Sequence, residues 1–158
     1  FVLPTRLSID MPLYETIEDR LQEQSVSEKL KAAWNLDVWS FAPYTTTGDL
    51  LLGRNGVLRA ICEVKRRYNA RDKYETYIIS RSKLERISAM SKSLNTKGLL
   101  VVQFDDVLVW HDATSALVYE TRWGGRYDRE DPNDLELMVH IPIYSLKGVT
   151  SDHKEDTD

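Results

Sequence analysis

Three ionisable side chains fall on two neighbouring segments that otherwise have the composition of buried strands. Asp49 opens one apolar segment, and Glu63 and Lys65 lie near the end of a second, VLRAICEVK. Because side chains alternate between the two faces of a strand, Glu63 and Lys65 share a face and lie about 7 Å apart along it. The carboxylate and the ammonium group are therefore predicted to project together from one side of a sheet.

The face to which Asp49 points depends on the hairpin that joins the two segments at residues 54–56 (RNG). A loop with an odd number of residues centred on Asn55 would pair Asp49 with Ile61 and turn Asp49 to the face of Glu63. A tight two-residue turn would pair Asp49 with Cys62 and aim its carboxylate into the core, which costs several kcal/mol. We therefore expect the odd loop, with Asp49 and Glu63 converging.

Two converging carboxylates with a lysine beside them have a definite chemical use. Carboxylate oxygens are hard ligands of the kind that Mg²⁺ prefers. A metal ion held in this way activates a water molecule and stabilises charge on a phosphodiester under attack. A neighbouring lysine can orient that water or neutralise the developing charge. The three side chains suit phosphodiester hydrolysis, and a structural Glu–Lys pair on a solvated face is the alternative.

The surrounding periodicities predict the elements that position these residues. Helical spacing is found in residues 11–24, 27–36 and 80–95, and Gly98 is expected just past the end of the last helix. Strands are expected at residues 37–42, 48–53, 57–65, 98–104, 107–113, 116–123 and 135–146, and residues 66–79 as a loop with an irregular extended piece. This order predicts an α/β fold with a mixed central β-sheet flanked by helices. Strands 57–65 and 98–104 should be parallel and joined by a right-handed crossover.

The motif residues resemble those of a known nuclease superfamily. Asp49, thirteen further residues, and then Glu63-Val64-Lys65 on a second strand look like the PD-(D/E)xK, or restriction-endonuclease-like, pattern. That superfamily carries the pattern on an α-β-β-β-α-β core, which the predicted order matches from about residue 11 to residue 104, with extra C-terminal strands beyond. One departure is visible, since Thr47-Gly48 stand where the family has a proline before the aspartate.

The resemblance implies roles for the motif residues. Asp49 and Glu63 would be metal ligands, Val64 would offer its backbone carbonyl as a further ligand, and Lys65 would be the catalytic lysine. The implied cofactor is Mg²⁺, for which Mn²⁺ is expected to substitute. Residues 1–150 would form a single nuclease-like domain, followed by an acidic, disordered tail at residues 151–158.

Members of the superfamily often add a glutamate ligand from the first helix. We expect this to be Glu18, because it flanks the apolar stripe of residues 14–21, with Glu15 as the runner-up. A solvated helix glutamate is the alternative for either residue.

Lys83 occupies an unusual position for a lysine. It falls in the first turn of helix 80–95, in line with the apolar residues of that helix. The helix macrodipole disfavours a cation there, and an apolar stripe seldom contains a lysine. A phosphate-facing catalytic role accounts for both observations, and extension of the side chain to solvent is the alternative.

Residues 66–77 and residues 122–129 each alternate basic and aromatic side chains, and both segments are candidates for contact with nucleic acid. Such segments can follow a phosphate backbone and stack on an exposed base, although ordinary loops and edge packing also produce them. The residues predicted to bind nucleic acid are Arg66, Arg67, Tyr68, Arg71, Lys73, Arg122 and Arg126.

Composition sets the outer limits. The chain of 158 residues is 42% hydrophobic and 29% charged, with a net charge of -4, which is ordinary for one globular domain. No apolar run approaches the roughly 18 residues of a membrane span, so no membrane partner is expected. The single cysteine, Cys62, excludes an internal disulfide and a cysteine zinc site. With no secretory signal visible at the start, we expect a cytoplasmic, intracellular protein.

These observations predict a Mg²⁺-dependent phosphodiesterase that acts on nucleic acid, on DNA rather than RNA, and as an endonuclease rather than an exonuclease. The alternative is a non-catalytic nucleic-acid-binding or scaffolding domain on the same fold. An unrelated α/β enzyme is disfavoured, since no glycine-rich phosphate loop, Ser–His–Asp arrangement or zinc spacing is present. A homodimer is expected if both strands of a duplex are cut.

Overall fold

A computed structural model of the chain describes residues 17–40, 50–125 and 135–150. Asp49, Glu15 and Arg126 lie outside the described residues, as does the tail expected at residues 151–158. The elements are α1 (Ile17–Trp34), β1 (Asp37–Ser40), β2 (Leu50–Arg54), β3 (Val57–Arg66), a 3-10 turn (Arg71–Lys73), β4 (Thr76–Ser80), α2 (Arg81–Ser93), β5 (Lys97–Gln103), β6 (Leu108–Asp112), α3 (Ala113–Ala116), β7 (Thr121–Gly125), β8 (Leu135–Pro142), a second 3-10 turn (Ile143–Ser145) and β9 (Lys147–Gly148).

The central sheet has six strands in the order β1-β2-β3-β5-β6-β9. β3 and β5 pair in parallel, and the other neighbours are antiparallel. A second antiparallel sheet has the order β4-β8-β7. The expected fold class is confirmed: a mixed central sheet flanked by helices, with the restriction-endonuclease-like α-β-β-β-α-β core and extra C-terminal strands. β4 is an addition within this core, formed where only an irregular extended piece was predicted.

The two faces of the central sheet bury different clusters. Cys62 of β3 packs with Val26 and Leu30 of α1, whereas its neighbour Ile61 packs with Ile87 of α2. β5 alternates in the same way between the two clusters. From Ala60 onward, even-numbered residues of β3 therefore face α1, and odd-numbered residues face α2 and the second sheet.

The two helices predicted before the first strand form one continuous helix. α1 runs unbroken through the boundary expected between residues 24 and 27, and no glycine or proline stands there to end it. Val26 and Leu30, four residues apart, supply its buried contacts, while Leu21 is 60% exposed. Leu21, the last residue of the apolar stripe predicted at residues 14–21, therefore does not pack on the sheet. None of the described helices is both long and apolar enough to cross a membrane.

Two expected boundaries were wrong for local reasons. The strand predicted at residues 116–123 begins only at Thr121, because Asp112 caps the short helix α3 by accepting a hydrogen bond from the Ser115 amide at 2.8 Å. Asn95, with φ 53°, follows α2 in the position predicted for Gly98. Gly98 instead lies in β5, where a Cβ would stand 2.8 Å from Ile87 Cγ2, so glycine permits the close approach of α2 to the sheet.

Candidate active site

The hairpin between β2 and β3 has a two-residue turn, so the predicted odd loop was wrong. Arg54 pairs with Val57, and Asn55 and Gly56 between them both have positive φ, 53° and 79°. Asn-Gly favours this kind of tight turn because asparagine and glycine tolerate the left-handed region best. Taken alone, such a turn would put even-numbered residues of β2 on the face of odd-numbered residues of β3.

A bulge further along the hairpin reverses this outcome. Gly53 pairs with Leu58 but Leu52 pairs with Ala60, which leaves Arg59 as an extra residue in β3. A one-residue shift in register moves every later side chain of β2 to the other face. The shift restores the facing of β2 that the odd loop was expected to give, but not its register, because Ile61 is opposite Leu51 and not Asp49.

Beyond the bulge, Leu51 is opposite Ile61, and both belong to the α2-facing core. Leu50 is opposite Cys62 in the α1-facing core. On this side of the bulge, odd-numbered residues of the two strands thus share the face of Glu63. Asp49, which precedes Leu50 in the sequence, lies outside that part.

Glu63 is a buried carboxylate held between two ammonium groups. It is 6% exposed, and its Oε2 lies 3.5 Å from Nζ of Lys65 and 3.8 Å from Nζ of Lys83. An isolated buried carboxylate would be strongly unfavourable, so the two cations compensate its charge. Both lysines remain partly exposed, at 25% and 38% of their side chains.

The structure places Lys83 next to the motif, with its Nζ 3.8 Å from the Oε2 of Glu63. Ser80 is the N-cap of α2, which makes Lys83 the third residue of the helix. The unfavourable position of a cation at a helix N-terminus is offset here by the Glu63 carboxylate. Lys65 comes from β3 and Lys83 from α2, so the cluster joins two elements that are separate in the chain.

Glu18 is not grouped with Glu63. Glu18 is exposed, and its helix packs on the opposite face of the sheet. Lys29 of that helix donates a 2.6 Å hydrogen bond to Oε1 of Gln103, at the end of β5, and the Trp34 carbonyl accepts one from Arg54 at the far end of β2. Glu18 precedes Lys29 by eleven residues, which is about 16 Å along the helix axis.

Among the described motif residues, Glu63 carries the carboxylate that could hold a metal ion. In residues 17–40, 50–125 and 135–150, no three carboxylate, histidine or cysteine side chains come together in a way that could hold a metal. The Glu63 carboxylate and the adjacent Val64 carbonyl are hard oxygen donors, which is the chemistry that a small divalent cation needs. The donor set fits such an ion if Asp49 completes it.

Two of the arginines predicted to bind nucleic acid have carboxylate partners within the chain. Arg66 pairs with Asp105 at 2.7 Å and stacks on Tyr68 at 4.3 Å. Arg122 donates to both oxygens of Glu120, at 3.0 and 2.9 Å, on the surface. This hydrogen-bonded pairing lowers the pKa of Glu120 and raises the pKa of Arg122. A phosphate would have to compete with these carboxylates.

Arg67 and Arg71 are held by backbone carbonyls instead. Arg67 donates to the Ile78 carbonyl at 3.3 Å, and Arg71 donates to the carbonyls of Ile143 and Leu146 at 3.1 and 2.6 Å. Neither guanidinium forms an ion pair with a carboxylate of the described residues. Their positive charges are thus positioned without being neutralised.

A cavity of about 420 Å³ lies beside these two arginines and is lined by Arg67, Arg71, Tyr74, Tyr77, Phe104 and Ile143, among others. Tyr77 is 3% exposed, and within the part of the chain that the structure describes its hydroxyl has no hydrogen-bond partner. Burial raises the pKa of the Tyr77 hydroxyl; the charge of Arg67 opposes the shift and that of Glu63 adds to it. In the sequence Tyr77 is one of several tyrosines of a basic segment that could contact nucleic acid, and nothing there indicates that its hydroxyl is buried.

Comparison with known proteins gives a family match over nearly the whole chain. Residues 10–149 match the family model described as "Phage putative PDDEXK endonuclease". No curated protein matches the sequence. The match includes every described element from α1 to β9.

Two solved structures are similar to this chain at low sequence identity. One is a Holliday junction resolvase from the archaeal hyperthermophile Archaeoglobus fulgidus, with 11% identity, a TM-score of 0.49, and coverage of 79% of this chain and 84% of that chain. The other is a nuclease from a fusselovirus, with 17% identity, a TM-score of 0.47, and coverage of 94% of this chain and 90% of that chain.

Proposed function

The chain belongs to the PDDEXK endonuclease family whose model it matches, and from this premise we propose that it is a divalent-metal-dependent endonuclease that hydrolyses phosphodiester bonds in DNA. The observation that carries the proposal is the buried Glu63 carboxylate with Lys65 and Lys83 both within 4 Å of it. The family match makes a purely structural ion pair the weaker explanation of this cluster.

The proposed metal ligands are the carboxylates of Asp49 and Glu63 and the backbone carbonyl of Val64. Asp49 is the residue before Leu50, and Leu50 pairs with Cys62, the neighbour of Glu63. Mg²⁺ is the proposed ion, and Mn²⁺ is expected to replace it. A bound divalent ion would supply a water molecule of lowered pKa and would stabilise negative charge on the phosphate.

The two lysines have separate proposed roles. Lys65 orients the attacking water and neutralises charge that develops on the phosphate as its oxygen–phosphorus bond to the leaving group breaks. Lys83 binds a non-bridging phosphate oxygen from the opposite element, α2. The partial exposure of the two side chains, 25% and 38%, is compatible with both roles.

The proposed DNA contacts follow from charge and exposure. Tyr68 is 64% exposed and Lys73 lies over the ring of Tyr74 at 5.5 Å, so both present groups that can meet a phosphate or a base. Cutting both strands of a duplex would require a second site, and a homodimer is the simplest way to provide one.

Cleavage assays test the proposal directly. Linear, circular and branched DNA are incubated with the protein in Mg²⁺, Mn²⁺ or EDTA. We expect cleavage with either metal and none in EDTA. Lys65→Ala should reduce the rate about a hundredfold or more. The matched control is Lys97→Ala, since Lys97 is exposed at the opposite end of the sheet, at the start of β5.

The result for Lys65→Ala decides the assignment. A folded Lys65→Ala protein that cleaves as fast as Lys97→Ala would refute the proposed role. DNA binding without cleavage under any metal condition would instead favour the non-catalytic binding domain.

A further inference from the structure

The cavity beside Arg67 lies next to the proposed catalytic cluster. Arg67 directly follows β3, two residues after Lys65, and Phe104 directly follows β5. The cavity therefore lies at the carboxyl ends of the two parallel strands, where open α/β sheets commonly bind ligands. Its volume of about 420 Å³ is within the range of small-molecule sites.

Tyr77 gives the cavity an unused polar group. Its hydroxyl is buried without a hydrogen-bond partner among the described residues, although buried polar groups in proteins are nearly always paired. Tyr77 is on β4, in the core cluster that contains Ile61, and hence on the Glu63 side of the central sheet. Because this oxygen is closed to solvent, a ligand in the cavity would gain the hydrogen bond by moving aside the atoms that cover it.

The other walls combine aromatic rings with fixed positive charge. Tyr74 is 58% exposed, and Phe104 meets the Tyr77 ring edge-on at a centroid distance of 6.2 Å. The Arg67 guanidinium lies 4.8 Å from the centroid of the Tyr77 ring and, as described above, has no carboxylate partner among the described residues. Flat aromatic surfaces beside an unneutralised arginine suit a planar group that is attached to a phosphate.

We propose that this cavity receives one unstacked nucleobase of the DNA substrate, from a nucleotide adjacent to the phosphate held at Glu63, Lys65 and Lys83. The Tyr77 hydroxyl hydrogen-bonds the edge of the base, Tyr74 supplies an aromatic surface, and Arg67 and Arg71 attract the flanking phosphate. The inference rests on the proposed nuclease function for its substrate, but base capture itself needs no metal and no cleavage. It predicts that the enzyme reads a base as well as the backbone.

The test is a binding experiment in EDTA with short forked DNA duplexes, because the fork fixes the register. One series carries 2-aminopurine, a fluorescent base, at each position around the fork in turn. A second series carries an abasic site at the same positions. We expect the 2-aminopurine fluorescence to rise at one position when the wild-type protein binds. An abasic site at that position should weaken binding about tenfold, since stacking of one base on aromatic rings has this magnitude.

Two variants link the effect to the cavity. Tyr77→Phe keeps the ring and removes the hydroxyl, so the ratio of affinities for intact and abasic DNA should fall about three- to tenfold. Tyr119→Phe is the matched control, because its hydroxyl lies 3.0 Å from His111 Nε2 and Tyr119 does not line the cavity. Its ratio should equal that of the wild type.

The outcomes separate this inference from the proposed function. Equal affinity of the wild-type protein for intact and abasic DNA at every position, with no rise in fluorescence, overturns the inference even if the protein cleaves DNA. A Tyr77-dependent effect at one position supports it. This support holds even if no metal allows cleavage, in which case the nuclease proposal alone would fail.

Discussion

The Nζ atom of Lys83 lies 3.8 Å from the Oε2 atom of Glu63, and the same oxygen lies 3.5 Å from Nζ of Lys65. One carboxylate thus joins the first turn of α2 to the end of β3. Because Glu63 is buried while both lysines reach solvent, a phosphate approaching the cluster would meet two cations above one anion. This arrangement underlies the first prediction.

Lys83→Ala should slow single-turnover DNA cleavage about ten- to a hundredfold, because it removes a cation from the phosphate without removing a metal ligand. Lys83→Arg should recover part of the rate, since the charge returns with a different shape. Lys92→Ala, an exposed lysine in the last turn of the same helix, is the control. If Lys83→Ala and Lys92→Ala cleave equally fast, Lys83 is only a structural partner of Glu63.

Gly53→Ala should destabilise the protein by about 1–3 kcal/mol, because the β2–β3 bulge leaves no space for a side chain. A Cβ at this position would lie 2.6 Å from the Val57 carbonyl oxygen and 2.6 Å from the Trp39 ring. Urea unfolding measures the change. In Gly148→Ala the new Cβ would approach only Thr150, at 3.8 Å, and stability should hardly change. Equal midpoints for the two variants would mean that the bulge tolerates a side chain.

Side-chain alternation predicted that Glu63 and Lys65 share a face of the sheet. The helix register predicted that Lys83 lies in the first turn of α2. Both predictions follow from local geometry. The turn and the bulge could not be predicted in the same way. The bulge depends on Gly53 packing under Trp39, a contact between different strands. Two errors, the odd loop and the missing bulge, cancelled in their effect on which residues of β2 face Glu63.

Other parts of the fold were hidden for similar reasons. β4 takes part in a sheet with β8, which is more than fifty residues later, so nothing in its own five residues identified the pairing. The strand predicted at residues 116–123 was based on its apolar residues and missed the cap that Asp112 provides for α3. Glu18 was selected from an apolar stripe whose residue Leu21 is exposed in the structure, because that helix face was judged without its packing partner.

Tyr77→Phe should raise the free energy of unfolding by about 1 kcal/mol, since it removes a buried hydroxyl that has no partner among the described residues. Tyr119→Phe should lower it by a similar amount, because the hydroxyl that it removes lies within hydrogen-bond distance of His111. Thermal or urea unfolding at neutral pH measures both changes. If both variants raised the free energy of unfolding, or both lowered it, the two hydroxyls would not differ in the way the structure indicates.

The alkaline stability of the protein should depend on Tyr77. Burial raises the pKa of Tyr77 in the folded state above its usual value of 10.0, with Arg67 opposing and Glu63 reinforcing the shift. A raised folded-state pKa contributes stability that is fully present below the unfolded-state pKa of about 10 and is lost as the pH rises above it. Urea unfolding from pH 8 to pH 11, roughly spanning that value, should show a smaller loss in Tyr77→Phe than in the wild type. If the free energy of unfolding fell equally with pH in the two proteins, Tyr77 would not be the source of the alkaline loss of stability.

Metal-binding measurements distinguish the proposed ligands Asp49 and Glu63 from Glu18, which was expected as a further ligand. Mn²⁺ titration followed by electron paramagnetic resonance should show binding that Asp49→Asn and Glu63→Gln weaken about tenfold or more, because each removes a charged oxygen ligand. Glu18→Gln should bind as the wild type does, since Glu18 is exposed on the helix that covers the opposite face of the sheet. Weaker binding in Glu18→Gln alone would move the metal site to α1.

The most direct measurement is the single-turnover rate of DNA cleavage in Mg²⁺ for the wild type and for Glu63→Gln. Glutamine keeps the shape of the buried side chain but removes the charge on which both lysines and the proposed metal ion converge. We predict metal-dependent cleavage by the wild type and a loss of at least about a hundredfold in a folded Glu63→Gln protein. Cleavage at an undiminished rate by Glu63→Gln, or wild-type cleavage that persists in EDTA, would contradict the account.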